Sequence, residues 1–318
     1  MKQLGKDILL SAAMGILLPA VMLNYGAKVR QQTMLEIMVQ ETIINDVPMP
    51  VKVRDGQGRI TEQEMNDYLV GVVLAEMPAS FEPEALKAQS IVARTYAWKA
   101  YTTGGKHGDG SVCTEPSCCQ GYCAEKNYLE QGGEEDDVEK IRSAVLSTSG
   151  QVLTYGGELI EATYFSCSGG STEDAVAVWG TEFPYLQAVD SPGEEYAAHY
   201  QETELFSQTE LGEKLGISLS GLPESWIQSV SYTRGGGVDA ISIGGTFFTG
   251  TEIRQKLNLR STAFSTKPEG EYLAFTTRGY GHRVGMSQYG ADAMAVAGSS
   301  CETILMHYYQ GAEVTQLQ

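Results

Sequence analysis

Apolar and polar positions along the chain divide it into segments of different period. Residues 8–23 (ILLSAAMGILLPAVML) are continuously apolar and are flanked by Lys2 and Lys6 before and by Lys28 and Arg30 after. The run predicts a membrane-spanning helix over residues 9–26, with the positive flank holding the N-terminus in the cytoplasm. A cleaved signal peptide is the competing reading, but no small-x-small site lies against the run. On either reading the rest of the chain lies outside the cytoplasmic membrane. Residues 27–54 form a tether that ends in an alternating stretch, Pro50-Val51-Lys52-Val53-Arg54, closed by Asp55-Gly56: a strand and a turn.

The period then changes to that of a helix. Thr61 and Glu64 have the spacing of a capping box, so a helix is expected from about Thr61. Met65, Leu69, Val72 and Glu76 share one face of it, and Pro78 ends it near Met77. A second helix opens at Pro83, with Glu82 and Glu84 around its first turn, and closes at Gly104-Gly105. Its stripe of Ala85, Ala88, Val92 and Tyr96, widened by Ala93 and Ala97, is small enough for another element to approach closely. Residues 106–132 read as loop. The acidic run at residues 131–139 reads as a solvated loop entering a helix at residues 141–149. A hairpin follows around Gly156-Gly157. Residues 174–267 mix short strands with one helix near residues 209–215. The tail returns to helix at residues 287–297 and 301–309, the latter capped by Ser299 and Glu302.

The chain has 318 residues, 42% hydrophobic and 19% charged, enough for a sizeable core. Its net charge of −18 argues against nucleic acid as a partner.

Glu76 is the one carboxylate on an otherwise apolar stripe. Burial and the negative end of the helix dipole would both keep it protonated, as a general acid needs. A Glu at the stripe's edge paired with a cation is the plainer reading. Residues 71–98 (GVVLAEMPASFEPEALKAQSIVARTYAW), 162–180 (ATYFSCSGGSTEDAVAVWG) and 278–295 (RGYGHRVGMSQYGADAMA) together resemble the stage II sporulation protein D family of membrane-anchored peptidoglycan lytic transglycosylases. HYYQGAEV near the end is similar to that family's closing segment, with Gln310 where Pro is usual.

The resemblance implies that Glu76 is the catalytic acid. It would cleave between N-acetylmuramic acid and N-acetylglucosamine and leave 1,6-anhydromuramic ends. One carboxyl suffices if it first protonates the leaving oxygen and then takes the proton of the sugar's C6 hydroxyl. Glu173 and Asp174 are weaker choices, Glu82 and Glu84 suit a helix start, and Asp292 reads as a surface position. Arg94, Tyr164, Ser166, His282, Ser287, Gln288 and Tyr289 are the expected substrate contacts, with Arg94 an alternative anchor for Glu76. The implied substrate is glycan stripped of stem peptides. The implied partners are a sporulation amidase and a membrane scaffold protein, and the implied location is the mother-cell membrane during engulfment. The glycine-rich segment at residues 278–287 lacks the spacing of a nucleotide loop.

Six cysteines outside the cytoplasm suggest disulfides. His107, Cys113 and Cys119 are also spaced by six and leave a fourth position open, which suits zinc. Some members of the family carry zinc near the cleft. In that case Cys118 and Cys123 are left for a disulfide, with Cys167 and Cys301 free or mutually paired. A deaminase reading fails, because neither His-x-Glu nor Pro-Cys-x-x-Cys is present.

The expectation is an α+β protein with two lobes around an open substrate cleft, preceded by an N-terminal transmembrane helix. Its parts are residues 1–26 (stub and anchor), 27–54 (tether), 55–173 (catalytic lobe), 174–270 (second lobe) and 271–318 (return to the first). Two rival functions stay open: a glycan-binding amidase enhancer that does no chemistry, and a zinc hydrolase that would leave reducing ends.

Overall fold

The computed structural model describes residues 49–317. Among them the chain first runs through β1 (Pro50–Arg54), β2 (Ile60–Glu64), α1 (Met65–Glu76), α2 (Pro83–Thr103), β3 (Ser111–Cys113), α3 (Glu125–Glu130) and α4 (Glu135–Leu146). Next come β4 (Gln151–Tyr155), β5 (Glu158–Leu159), β6 (Tyr164–Phe165), β7 (Gly170–Ser171), α5 (Ala175–Trp179), β8 (Asp190–Ser191), β9 (Gln201–Ser207) and α6 (Gln208–Leu215). The remainder is β10 (Ile227–Tyr232), β11 (Val238–Ile243), β12 (Thr246–Thr249), α7 (Gly250–Leu257), β13 (Phe264–Glu269), β14 (Tyr272–Arg278), β15 (Met286–Ser287), α8 (Gln288–Val296), α9 (Cys301–Tyr308) and β16 (Glu313–Gln316). This is a mixed α+β architecture. No helix of the described residues is long and apolar enough to cross a membrane, and the anchor expected over residues 9–26 lies outside them.

The first core surrounds α2. Pro83 sits at its first position and Gly104 caps its end. Ala85, Ala88, Val92, Ala93 and Ala97 are all buried, as the small-residue stripe predicts. α1, α4, β4, α8 and α9 pack around it. The expected start of α1 is corrected: Thr61 and Glu64 belong to β2, which pairs antiparallel with β1 in the register Val53↔Thr61 and Pro50↔Glu64. Cross-strand pairing takes those residues, so the helix begins at Met65 with Glu64 as its cap, accepting from Asn66 N. The hairpin forms as expected, Gly156 and Gly157 taking φ of 59° and 85° between β4 and β5. β16, which was not anticipated, pairs with the other edge of β4.

A second core collects Phe206, Leu211, Leu215, Trp226, Ile241, Ile253, Leu257 and Phe275. It lies between the antiparallel sheets β10-β11-β12 and β13-β14-β9 and the helices α6 and α7. Both helices start with full capping boxes, Ser207 with Glu210 and Thr249 with Glu252. α3, which falls where a loop was expected, α5 and α7 are three helices that the sequence pattern did not reveal. In the tail, α9 is capped by Ser300, which accepts from Thr303 N, and not by Ser299.

The contact that positions the site is a short parallel pair, β15 with β6, in the register Met286↔Tyr164 and Ser287↔Phe165. It brings the start of α8 beside Tyr164, although more than a hundred residues separate them. Gly285 permits this approach, since a Cβ there would meet Thr163 O at 2.1 Å.

Candidate active site

Glu76 ends α1 because Met77, just before Pro78, is extended, with φ −129° and ψ 140°. The expectation of a buried acid is corrected. Met65, Leu69 and Val72 are buried, but Glu76, one turn further on, is half-buried at the lip of the core. Its carboxylate is held from three directions. Oε1 accepts from the Gly121 backbone N–H at 2.5 Å and Oε2 from Gln288 Nε2 at 3.4 Å. The Tyr164 phenol also donates to it, and burial, then the Glu76 charge, push that phenol well above its ordinary pKa, so it remains a donor. A Cβ on Gly121 would stand 2.9 Å from Glu76 Oε1, so glycine is what lets this backbone come so close.

Gln120 and Gly121 went unnoticed in the sequence. Gln120 is 1% exposed and accepts from Tyr68 Oη at 3.1 Å. It donates to Tyr164 Oη at 3.2 Å and to Ala93 O at 3.4 Å. It thereby ties the cysteine loop to both core helices directly behind the acid.

The remaining expected contacts divide into two groups. Tyr164 and Gln288 touch Glu76. Tyr289 is half-buried, edge-on to Phe81 and Tyr196, and its N–H donates to Ser166 O at 3.0 Å. Ser166 is half-buried beside it. His282 is half-buried between the rings of Phe165 and Trp179, with centroids at 5.5 and 5.4 Å. Its Nδ1 accepts from Val284 N at 3.1 Å. Burial, then the Arg254 charge and more weakly that of Lys106, lower its pKa to about 4, outweighing a hydrogen bond to the Tyr164 backbone, so the ring is neutral at pH 7.

Two expectations are corrected. Arg94 is fully buried and donates to Val145 O (3.1 Å), Asn66 Oδ1 (3.2 Å), Gln151 O (3.3 Å) and Thr148 Oγ1 (3.4 Å). These bonds tie α1, α4 and β4 together, so its side chain is structural and does not face a ligand. Ser287 is also fully buried: it caps α8, accepting from Gly290 N at 3.2 Å and donating to Ser166 O at 3.5 Å.

Four other carboxylates of these segments are committed elsewhere, while that of Glu82 is exposed. Glu84 pairs with Lys87 and accepts from Cys301 N. Glu173 pairs with the buried Arg283 at 3.1 Å, and Asp174 with Arg234 at 2.7 Å. Asp292, expected at the surface, is buried and accepts from Glu82 N at 2.7 Å and from Tyr196 Oη at 2.7 Å. It thereby satisfies an open amide at the start of α2.

The cysteine loop folds back on itself, with the Cys118 and Cys119 amides both donating to Glu115 O at 2.9 Å. This gathers His107, Cys113, Cys118 and Cys119, whose donor atoms all lie within 4.8 Å of one another. Cys119 Sγ and Cys118 Sγ are 3.5 and 3.8 Å from His107 Nε2 and 3.9 Å from each other. A tetrahedral ion with bonds of ~2.0–2.3 Å spaces its ligands by roughly 3.3–3.8 Å, so the donors fit one. The expected set of three ligands with an open position is corrected by Cys118, which supplies a fourth donor. All six cysteines are free thiols, so neither the Cys118–Cys123 nor the Cys167–Cys301 disulfide forms. Burial opposes ionisation of Cys113, but hydrogen bonds from the Glu115 backbone, His107 and the neighbouring thiols bring it down to about 7. Cys118 is pushed up to about 11 by Cys113, by burial and by Cys119.

Comparison with known proteins places this half-open carboxylate and its thiol-rich loop in a class of sporulation proteins. The family described as stage II sporulation protein matches residues 54–155, which hold Glu76 and all four thiol and imidazole donors. The chain is 37% identical over 289 residues to stage II sporulation protein D of Bacillus amyloliquefaciens, covering 89% of this chain and 84% of that one. It is 39% identical over 257 residues to the protein of the same name from Bacillus subtilis (strain 168), covering 79% and 74%. A protein named amidase enhancer from Bacillus subtilis (strain 168) is 30% identical over 301 residues, covering 78% of this chain and 40% of that one. The chain belongs to the stage II sporulation protein D family.

Proposed function

We propose that this protein is a lytic transglycosylase that cleaves peptidoglycan glycan strands between N-acetylmuramic acid and N-acetylglucosamine, with Glu76 as its acid and base. The observation that supports this is the Glu76 carboxylate, half-exposed and oriented by Gly121 N, Gln288 and Tyr164. Glu76 gives its proton to the departing glycosidic oxygen. As carboxylate it then takes the C6 hydroxyl proton while that oxygen bonds to C1, so the ring closes without added water. A two-carboxylate hydrolase would need a second acid to activate water, and the sequence candidates Glu173, Asp174 and Asp292 are bound to Arg283, Arg234 and Glu82 N.

The four donors of the cysteine loop suit zinc in a closed structural site. His107, Cys113, Cys118 and Cys119 would hold it, and the ion would fix the loop that presents Gly121 to Glu76. Four protein ligands leave no position for the metal-bound water of a zinc hydrolase. Anchoring in the mother-cell membrane by residues 9–26, and work beside an amidase and a membrane scaffold, complete the reading. The named amidase enhancer among the relatives supports the amidase connection.

The test is incubation of the full-length protein with peptide-free glycan strands. Anhydro-ended sugars support the enzyme. Reducing ends sink the single-carboxyl mechanism, and no cleavage alongside enhanced amidase activity supports the binding-module alternative. Chelation should unfold the loop and lower activity together, both recovering with zinc. Activity that survives complete metal removal would overturn the structural role of the ion.

A further inference from the structure

A cavity of about 310 Å³ lies beside the cysteine loop, lined among others by Tyr96, Lys99, Lys106, Ile160 and Glu161. Its charge runs against that of the chain. Two cations and one anion face it, in a protein of net charge −18. Lys99 is paired with Glu161 at 2.7 Å. The Lys106 ammonium donates to Cys118 O and sits 6.0 Å from the Tyr96 ring centroid, and an ammonium has two further protons to give. Ile160 and Glu161 lead directly into β6, which carries Tyr164 to Glu76. Lys106 opens the loop whose Gly121 N–H meets Glu76 Oε1, so the loop and β6 both tie the cavity wall to the acid. The volume is at the small end of ligand sites, room for one sugar with a charged substituent and no more.

We propose that this cavity is an anion subsite for the free lactyl carboxylate of a muramic acid residue, held by Lys106 and Lys99. The inference rests on the proposed glycan substrate. The muramic lactyl group ends in a carboxylate when no stem peptide is attached and in a neutral amide when one is. A subsite of this kind therefore selects stripped strands by charge.

Ligand-observed NMR titration of the full-length protein tests it, using N-acetylmuramic acid, N-acetylglucosamine and N-acetylmuramyl-L-alanyl-D-isoglutamine. N-acetylmuramic acid should bind roughly tenfold more tightly than N-acetylglucosamine, the size of one charge-assisted contact, and the dipeptide should bind no better than N-acetylglucosamine. Lys106→Met and Lys99→Met should each erode that preference. Glu161→Gln should increase it, a gain that damaged folding cannot produce. Equal binding of the two monosaccharides, or an unchanged preference in both lysine variants, overturns the proposal. Tightest binding by the dipeptide overturns it too, by assigning the site to a peptide carboxylate. Because binding is read without cleavage, a preference for muramic acid in a protein that forms no anhydro ends would leave the subsite standing and remove the enzyme.

Discussion

Glu76 and Glu194 are both carboxylates at the meeting of distant segments, yet they are built for opposite ends. Glu194 is fully buried and accepts from Ser191 Oγ (2.6 Å), Ser168 N (2.7 Å), Ser168 Oγ (2.9 Å), Cys167 Sγ (3.0 Å) and Gly169 N (3.1 Å). Glu173, nearly as buried, accepts from Arg283, Thr233 and Gly237. Such groups are closed off from any ligand and bonded to the loops around them, so they hold those loops together. Glu76 is oriented by three donors but keeps one side open. An acid that must pass a proton to a substrate needs orientation without saturation, and of these three carboxylates Glu76 has it.

The sharpest way to break this comparison is to neutralise one carboxylate of each kind. Glu76→Gln keeps the shape and removes the proton. Cleavage of glycan strands should fall by about 10³-fold, at the level expected for loss of general acid catalysis, with the midpoint of thermal unfolding unchanged. Glu173→Gln should do the reverse. It leaves the Arg283 guanidinium buried without its counter-ion, which costs about 3–5 kcal/mol, measurable by urea denaturation. A Glu76→Gln variant that unfolds early, or a Glu173→Gln variant of full stability, would merge the two classes.

How much of this was legible in the chain follows the distance over which each feature is decided. The end of α1 at Pro78, the start of α2 at Pro83, its end at Gly104 and the turn at Gly156-Gly157 are set by neighbours within a few residues, and the sequence shows them. The Thr61–Glu64 box satisfied the same local rule, but pairing with β1 overrode it, while the true boxes at Ser207 and Thr249 passed unremarked. Arg94 has the same spacing whether it faces a sugar or an internal carbonyl, and only the fold decides. In the sequence reading Cys118 is set aside for a disulfide with Cys123. The loop's turn about Glu115 O brings both sulfurs inward, and no spacing rule reports that turn.

A smaller effect tests the imidazole packed between Phe165 and Trp179. His282 has a folded pKa lowered to about 4 from 6.5, so between those values the unfolded chain binds the extra proton and folding is penalised. Stability therefore rises with pH across that window, and His282→Gln should flatten the rise by on the order of 2 kcal/mol. Denaturation curves at pH 4.5 and 7 for both proteins decide it, and equal slopes would mean the ring is solvated in the folded state.

The smallest perturbation acts on Glu76 without touching it. Gly121→Ala puts a methyl carbon 2.9 Å from Oε1 of the acid, and the atom that must yield is the end of a flexible side chain. The fold can therefore accept the substitution, but the carboxylate cannot keep its bond to Gly121 N and its present orientation toward Gln288 together. Activity should drop about tenfold, the scale expected for a small misplacement of a catalytic group, while unfolding shifts by less than ~1 kcal/mol. The loss should fall on kcat more than on KM, because the sugar contacts stay in place. If Gly121→Ala instead lowers stability and spares kcat, the loop is packing against α1 and is not aiming the acid.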